Sequence, residues 1–238
     1  CSPEVIEVLQ AAEECRKLTD GAFNPHLGQL IELWTRSAKA GRVPTAAELA
    51  PIVDQFNKAS IEIYTKAGTV RRKDKTLLNV NAIGKGFIID KALAKVASTE
   101  GVQSILLDIG GDIATADRTP AATRHTWTVG VANPRRSEEN AEPLVHIRLI
   151  GSAVATSGDY ERFYTIGGKT YSHIFDPRTG MPAEGIKSSS VTAPTAAQAG
   201  CLATSLSVLP PDQGLALIQK IKGCECLLIG SDGKQSRS

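Results

Sequence analysis

The chain has 238 residues, 42% of them hydrophobic and 22% charged, with a formal net charge of +2. That length buries a substantial core as one domain or two small ones. The scattered cations exclude an extended nucleic-acid surface: the basic runs Arg71-Arg72-Lys73 and Arg135-Arg136 fit solvated loop or hairpin positions. No apolar stretch reaches transmembrane length, and no targeting signal is read in these residues.

Ser2-Pro3 opens a first helix, an N-cap followed by proline at the first helical position. Val5, Ile6, Leu9, Ala12 and Leu18 carry its helical period to about Thr19. A second helix is predicted over 26–39, with Leu27, Leu30, Ile31 and Trp34 on one face. Thr45 and Glu48 have the spacing of a capping box for a short third helix. From 61 to 79 the pattern is that of strands, turned by Ala67-Gly68 into a hairpin. Residues 84–97 read as a helix with a glycine-rich first turn, and 105–108, 127–131 and 145–150 as strands. Helices over 195–209 and 212–221 and a last strand over 226–229 complete the order. Without βαβ regularity, the expectation is an α+β fold: one mixed domain over 1–238, mainly antiparallel.

Five cysteines, Cys1, Cys15, Cys201, Cys224 and Cys226, are odd in number and irregular in spacing. No disulfide framework is expected from them, and no second pair offers zinc a matched site. Most are expected to act as small buried apolar residues.

The run Ala155–Pro182 is the most informative. Ala155, Thr156, Ser157 and Gly158 read as a small-residue elbow whose amides and hydroxyls can approach an anion closely. The strand after it delivers one imidazole, His173, and the Asp176-Pro177-Arg178-Thr179-Gly180 turn aims it. Lys85, at a glycine-flanked helix start, is also suited to an anion.

These segments resemble, in order, the motifs of the FAD:protein FMN transferases, the ApbE family of flavin transferases. The similar stretches are Thr19–Pro25 with Gly28, Leu30 and Leu33-Trp34; Asn79–Gly86 with Asp90; Leu107–Asp112; Trp127–Pro134; Tyr171–Gly180; and Val191–Val208. The resemblance implies an enzyme that binds FAD with Mg²⁺, cleaves the pyrophosphate, and transfers FMN to a threonine or serine hydroxyl of a target protein. It makes His173 the candidate base and sets Ile174 beside the flavin. Ala22, Phe23 and Asn24 would touch the isoalloxazine and ribityl region, and Asn79, Lys85, Thr156, Ser157 and Gly158 the rest of the FAD. Ala82, through its carbonyl, Ala203 and Thr204 would belong to the metal site. Asp108 and Asp112 are expected to be mainly structural.

Three positions depart from the family pattern. Asn24 and Asn79 stand where it has aspartate, and Gly200 replaces the acidic metal ligand one helical turn before Thr204. Bound Mg²⁺ is therefore expected to be weak or absent, and restoring an acid as Gly200→Asp should also stabilise the helix. A non-catalytic flavin-binding relative and an FAD pyrophosphatase are the alternatives. The family's first strand, with a methionine on the flavin, has no counterpart here, so an N-terminally incomplete domain is expected. Cys1 then reflects truncation or processing more readily than natural lipidation. By family resemblance the protein would be periplasmic, or anchored to the outer side of the inner membrane.

Overall fold

A computed structural model describes residues 1–134, 141–158 and 162–238; Arg135 and Arg136 lie outside them. Six helices are described: α1 Pro3–Leu18, α2 Gly28–Lys39, α3 Ala46–Asn57, α4 Asn81–Ala97, α5 Ala196–Val208 and α6 Pro211–Ile218. The strands are β1 Ile61–Tyr64, β2 Thr69–Arg72, β3 Ser104–Ile109, β4 Asp112–Asp117, β5 Trp127–Val131 and β6 Val145–Leu149. They continue as β7 Ala153–Gly158, β8 Phe163–Ile166, β9 Lys169–Ser172, β10 Ile186–Ala193, β11 Glu225–Gly230 and β12 Gln235–Arg237.

Six strands form one sheet in the order β12-β11-β10-β7-β4-β3, and β1–β2, β5–β6 and β8–β9 are separate hairpins. Every described strand pair is antiparallel, as expected of the α+β class. The period of two in a strand divides the central sheet between two partners. Leu107, Ala114 and Ala153 pack with Ile89 of α4 and Ala196 of α5. Their neighbours Leu106, Ile113 and Val154 point the other way, onto Val129, Ile147 and Leu149 of the β5–β6 hairpin.

α5 is the central rod. It is buried nearly all round, so small residues (Ala199, Gly200, Ala203) must alternate with Leu202 and Leu206 to let α1, α4 and the sheet close on it. A second core gathers around Trp34, whose ring lies 5.6 Å from those of Tyr171 and Phe175. Its indole N–H donates to the Gly180 carbonyl at 2.9 Å, tying the Asp176–Gly180 turn to α2.

Local signals act where the sequence places them. Ser2 caps α1, with proline next, and Thr45 and Glu48 form a complete capping box. Several elements differ from expectation. α2 starts at Gly28, whose N–H bonds the Leu77 carbonyl and whose missing Cβ would fall 2.4 Å from the Leu77 Cβ. The hairpin ends at Arg72, because Asp74 then turns the chain by accepting from the Ser60 and Thr76 amides. α4 begins three residues early, started by the Asn79 side chain, which accepts from the Asn81 N–H at 3.0 Å.

The expectation about cysteines is corrected. Cys15 of α1 and Cys201 of α5 are joined in a disulfide across 186 residues of sequence, with Cα atoms 6.3 Å apart. Cys224 and Cys226 are buried free thiols, as expected.

Candidate functional site

The crossing of α4 and α5 is built on glycine. A Cβ on Gly86 would lie 2.3 Å from the Ala196 carbonyl oxygen, an approach that only glycine permits. One turn away the relation reverses: a Cβ on Gly200 would lie 3.0 Å from the Ala82 carbonyl oxygen. Asp90, the next residue on that α4 face, accepts from the Ala196 and Ala197 amides at 2.8 and 2.9 Å. It satisfies two of the donors that every helix start leaves open. Burial raises the Asp90 carboxyl above its ordinary range, although both N–H bonds pull it down.

The same turn of α4 carries Lys85. Its Nζ sits 3.1 Å from the buried Asp112 carboxylate and donates to the Gly110 carbonyl at 3.0 Å. The glycine turn that allows this has positive φ at Gly110 (58°) and Gly111 (83°), and Gly111 N–H donates to Asp108. Lys85 is therefore held in place, not left waving in solvent. Asp108 shapes the turn, as expected, while Asp112 reaches the lysine itself.

Hydroxyls line the sheet beneath. Between Ala199 and Val208 only Thr204 is not fully buried, and its Oγ1 lies 3.3 Å from Ser157 Oγ on β7. Ser189 of β10 is paired in register with Ser157, so both side chains share the face toward α5. The Ser189 hydroxyl is fully buried with no hydrogen-bond partner among the described residues. Gly200 thus meets the Ala82 carbonyl and Thr204 meets Ser157, while Lys85, on the same turn of α4 as Ala82, reaches the Gly110–Asp112 turn.

Other expected positions fall differently. Ala155–Gly158 is no elbow: it lies within β7, laddered to β10. Thr156 consequently points to the opposite face from Ser157 and bonds Ser190 Oγ at 2.8 Å. Phe23 packs in the core with Ile83 and Leu202, so its ring is not an open flavin surface. Asn24 is buried and its side-chain oxygen accepts from the His26 amide. Ala203 is wholly buried, and its carbonyl accepts the Ser207 hydroxyl at 3.0 Å. Strand alternation, not residue type, decides the face Thr156 takes, and tertiary packing buries Phe23, Asn24 and Ala203.

His173 lies just beyond β9, half-buried, rather than within a strand. Its Nδ1 is 2.9 Å from the Arg162 carbonyl oxygen, which accepts only an N–H. The neutral ring therefore carries its proton on Nδ1 and its lone pair on Nε2, the form a general base requires. Ile174 packs with Ala22 of the α1–α2 loop and Val208 at the end of α5. The Asp176 turn is closed internally: Arg178 Nη2 pairs with the Asp176 carboxylate at 2.7 Å, and the Gly180 N–H donates to the Asp176 carbonyl.

Two clefts flank that turn. One, about 640 Å³, lies between α3 and Arg178–Met181; the other, about 480 Å³, is lined by Ala183, Val208 and Leu209, which pack against Ile174. Neither reaches Lys85 or Thr204. The smaller one adjoins the residues expected beside the flavin, so it bears on the ligand more directly than the larger. Among the described residues no three His, Cys, Asp or Glu side chains cluster to hold a metal ion.

The glycine contact revises the expectation for Gly200→Asp. The new Cβ would lie 3.0 Å from a backbone carbonyl oxygen, so α4 must give by a few tenths of an ångström, and crowding of this kind costs about 1–3 kcal/mol. That equals or exceeds the gain of about 1 kcal/mol from removing a helical glycine. Thermal unfolding of Gly200→Asp should therefore show a lowered midpoint; a raised one would mean that α4 yields without cost.

Comparison with known proteins agrees with this architecture. The ApbE family profile matches residues 1–228. The FAD:protein FMN transferase of Treponema pallidum (strain Nichols) is 33% identical over 225 residues, covering 89% of this chain and 61% of the relative. The FAD:protein FMN transferase of Salmonella typhimurium (strain LT2) is 28% identical over 239 residues, covering 98% of this chain and 67% of the relative. The ApbE protein of Thermotoga maritima superposes with a TM-score of 0.85 at 29% identity, over 100% of this chain and 76% of its own. The apo flavinyl transferase ApbE of Pseudomonas stutzeri gives 0.74 at 26%, over 98% and 71%. The chain therefore spans about three fifths of the Treponema relative's length.

Proposed function

The chain belongs to the ApbE family, and we propose that it is an FAD:protein FMN transferase acting on a threonine or serine hydroxyl of a target protein. The observation that carries this reading is the α4–α5 crossing itself, where the Ala82 carbonyl meets Gly200 and Ser157 meets Thr204, with Lys85 held on the same turn of α4. It joins a cation with neutral oxygen groups, as an anionic dinucleotide requires. Lys85, now paired with Asp112, would meet the diphosphate. The cleft beside Ile174 would receive the flavin end.

In the reaction the acceptor oxygen attacks the phosphorus of the FMN half. One P–O bond forms to the acceptor, the pyrophosphate bond to the AMP half breaks, and AMP leaves with the bond's electron pair. The acceptor proton passes to His173 Nε2, whose tautomer is set by Nδ1–H donating to the Arg162 carbonyl. The divalent cation implied by family resemblance would supply countercharge to the leaving AMP. This chain offers it the Ala82 carbonyl and the Thr204 hydroxyl but Gly200 in place of a carboxylate. Such a set does not hold Mg²⁺ by itself.

We place the protein outside the cytoplasm, in the periplasm or on the outer side of the inner membrane. The Cys15–Cys201 disulfide supports this, since such bonds persist in oxidising compartments. No helix is long and apolar enough to cross a membrane among the described residues.

Incubation with FAD, Mg²⁺ and a flavin-accepting protein tests the reading. The expected result is AMP release matched by covalent, fluorescent flavin on the acceptor. AMP and free FMN without labelling would replace it with an FAD pyrophosphatase. Saturable FAD binding with neither product would establish a non-catalytic relative, the reading that Gly200 favours.

A further inference from the structure

We propose that His26 is a buried imidazolium cation that clamps the entry of α2 to α1 and to the 74–79 loop, and that this clamp loosens as the pH rises above neutral. It holds whether or not FAD is the ligand.

His26 follows Pro25 just before α2, and its side chain is wholly buried with a partner on each ring nitrogen. Nε2 lies 2.9 Å from Glu13 Oε1 on α1, and Nδ1 lies 3.0 Å from Thr76 Oγ1. The partners' own bonds decide which nitrogen carries a proton. Burial alone would raise the Glu13 carboxyl, but the bonds from His26 and Arg16 hold it below its ordinary range. Arg16 Nε donates to its other oxygen at 3.0 Å, so Glu13 is an ionised acceptor and Nε2 must donate. On the far side the Thr76 hydroxyl donates to Asp74 Oδ1, which also accepts the Thr76 amide at 2.9 Å. Asp74 Oδ2 accepts the Ser60 amide at 3.1 Å. Burial would raise Asp74 too, but these bonds keep it below the usual carboxylate range. A hydroxyl has one proton. Having given it to Asp74, Thr76 Oγ1 can only accept, so Nδ1 donates as well. A ring that donates from both nitrogens is the cation.

Charge agrees with this. The ring is bracketed by two carboxylates, Glu13 directly and Asp74 through one hydroxyl. The cations beside them are Arg16, paired with Glu13, and the exposed Arg72 at the end of β2, which donates to the Thr76 carbonyl. A buried charge is costly unless it is paired and hydrogen-bonded, and this one is both. The backbone around the ring is laced to match. Gly28 N–H donates to the Leu77 carbonyl at 2.9 Å and Asn79 N–H to the Pro25 carbonyl at 2.7 Å. Gln29 spans the same seam, its Oε1 accepting the Leu77 N–H at 2.8 Å and its Nε2 donating to the Lys75 carbonyl at 3.0 Å. Loss of the ring proton leaves a bare nitrogen facing an acceptor, or takes the Thr76 hydroxyl from Asp74. Either way one buried hydrogen bond of the seam is lost.

A histidine in an unfolded chain releases its proton near about pH 6.5. The folded chain, keeping it, binds one more proton above that pH, so stability falls as the pH rises. Glu13 and Asp74 act in the opposite sense, their share being lost only as the pH falls through the acid range.

The test begins with the whole chain labelled with ¹⁵N-histidine at about pH 7.5, a unit above the ordinary histidine value. The expected spectrum shows two protonated ring nitrogens for His26. Replacing His125, His146 and His173 with glutamine leaves His26 the only histidine, which assigns its signals. In urea unfolding between about pH 7 and 8.5, the unsubstituted chain should lose stability more steeply than His26→Gln, the difference approaching tenfold in the folding constant per pH unit. Thr76→Val removes only the oxygen that Nδ1 faces, so it should make the ring neutral and abolish the excess slope; it serves if His26→Gln does not fold. Hydrogen exchange at the Gly28, Leu77 and Asn79 amides, corrected for the intrinsic effect of pH, should lose protection over the same range. A neutral His26 ring in the unsubstituted chain would overturn the proposal. So would equal pH slopes in the chain and its variants, or protection along the seam that does not change with pH.

Discussion

Reducing the Cys15–Cys201 bridge is expected to lower the free energy of unfolding by about 5 kcal/mol, the loop-entropy value for a closure of this length. The bond spans 186 residues, so it forbids most of the expanded conformations that the unfolded chain would otherwise sample. It also joins two helices already in contact: Ala12 and Cys15 of α1 share a core with Ala199, Cys201 and Leu202 of α5. Native packing therefore survives reduction, and the loss acts mainly through the unfolded state. Against a typical total of about 5–15 kcal/mol, it is a third or more of the stability.

Urea unfolding with and without dithiothreitol measures the effect, and the Cys15→Ser/Cys201→Ser double variant should match the reduced protein. In thermal unfolding the same loss corresponds to a fall of roughly 10 °C for a chain of this size. Alkylation in denaturant should label three thiols, Cys1, Cys224 and Cys226, before reduction. Labelling of all five, or identical unfolding curves, would show that the pair stays reduced in solution and would withdraw its support for an exported protein.

The bridge also shows what the sequence could not disclose. Odd cysteine number and irregular spacing spoke against a framework, and a single pair drawn from opposite ends of the chain leaves no local trace. Capping is the opposite case. Ser2-Pro3 and Thr45-x-x-Glu48 satisfy backbone donors within one turn, so they were legible and hold in the structure. β7 and β10 were missed as strands because Ala153–Gly158 and the Ser188-Ser189-Ser190 run carry small polar residues without an apolar alternation. Their faces are set by what covers the sheet, α5 on one side and the β5–β6 hairpin on the other. That is also why Ser157 reaches Thr204 while Thr156 does not. Gly200 could be read as a missing acid, but its contact with the Ala82 carbonyl appears only once α4 and α5 are packed.

His173→Ala should lower FMN transfer by about 10²–10⁴-fold, the usual contribution of a positioned general base. FAD affinity, read by flavin fluorescence, should stay near its original value, because the imidazole acts on the acceptor's proton. The structure makes the distinction sharp. Nδ1 is committed to the Arg162 carbonyl, so a structural role through that bond can be separated from proton transfer at Nε2. His173→Gln keeps an amide donor that can reach the same carbonyl but has no basic nitrogen at Nε2. If His173 only fastens the β9 end to Arg162, glutamine should restore most of the lost rate. If His173 is the base, glutamine should be as slow as alanine, and the missing function should return in part with added imidazole. Full activity in His173→Ala would leave the site without its base and assign proton removal to another group.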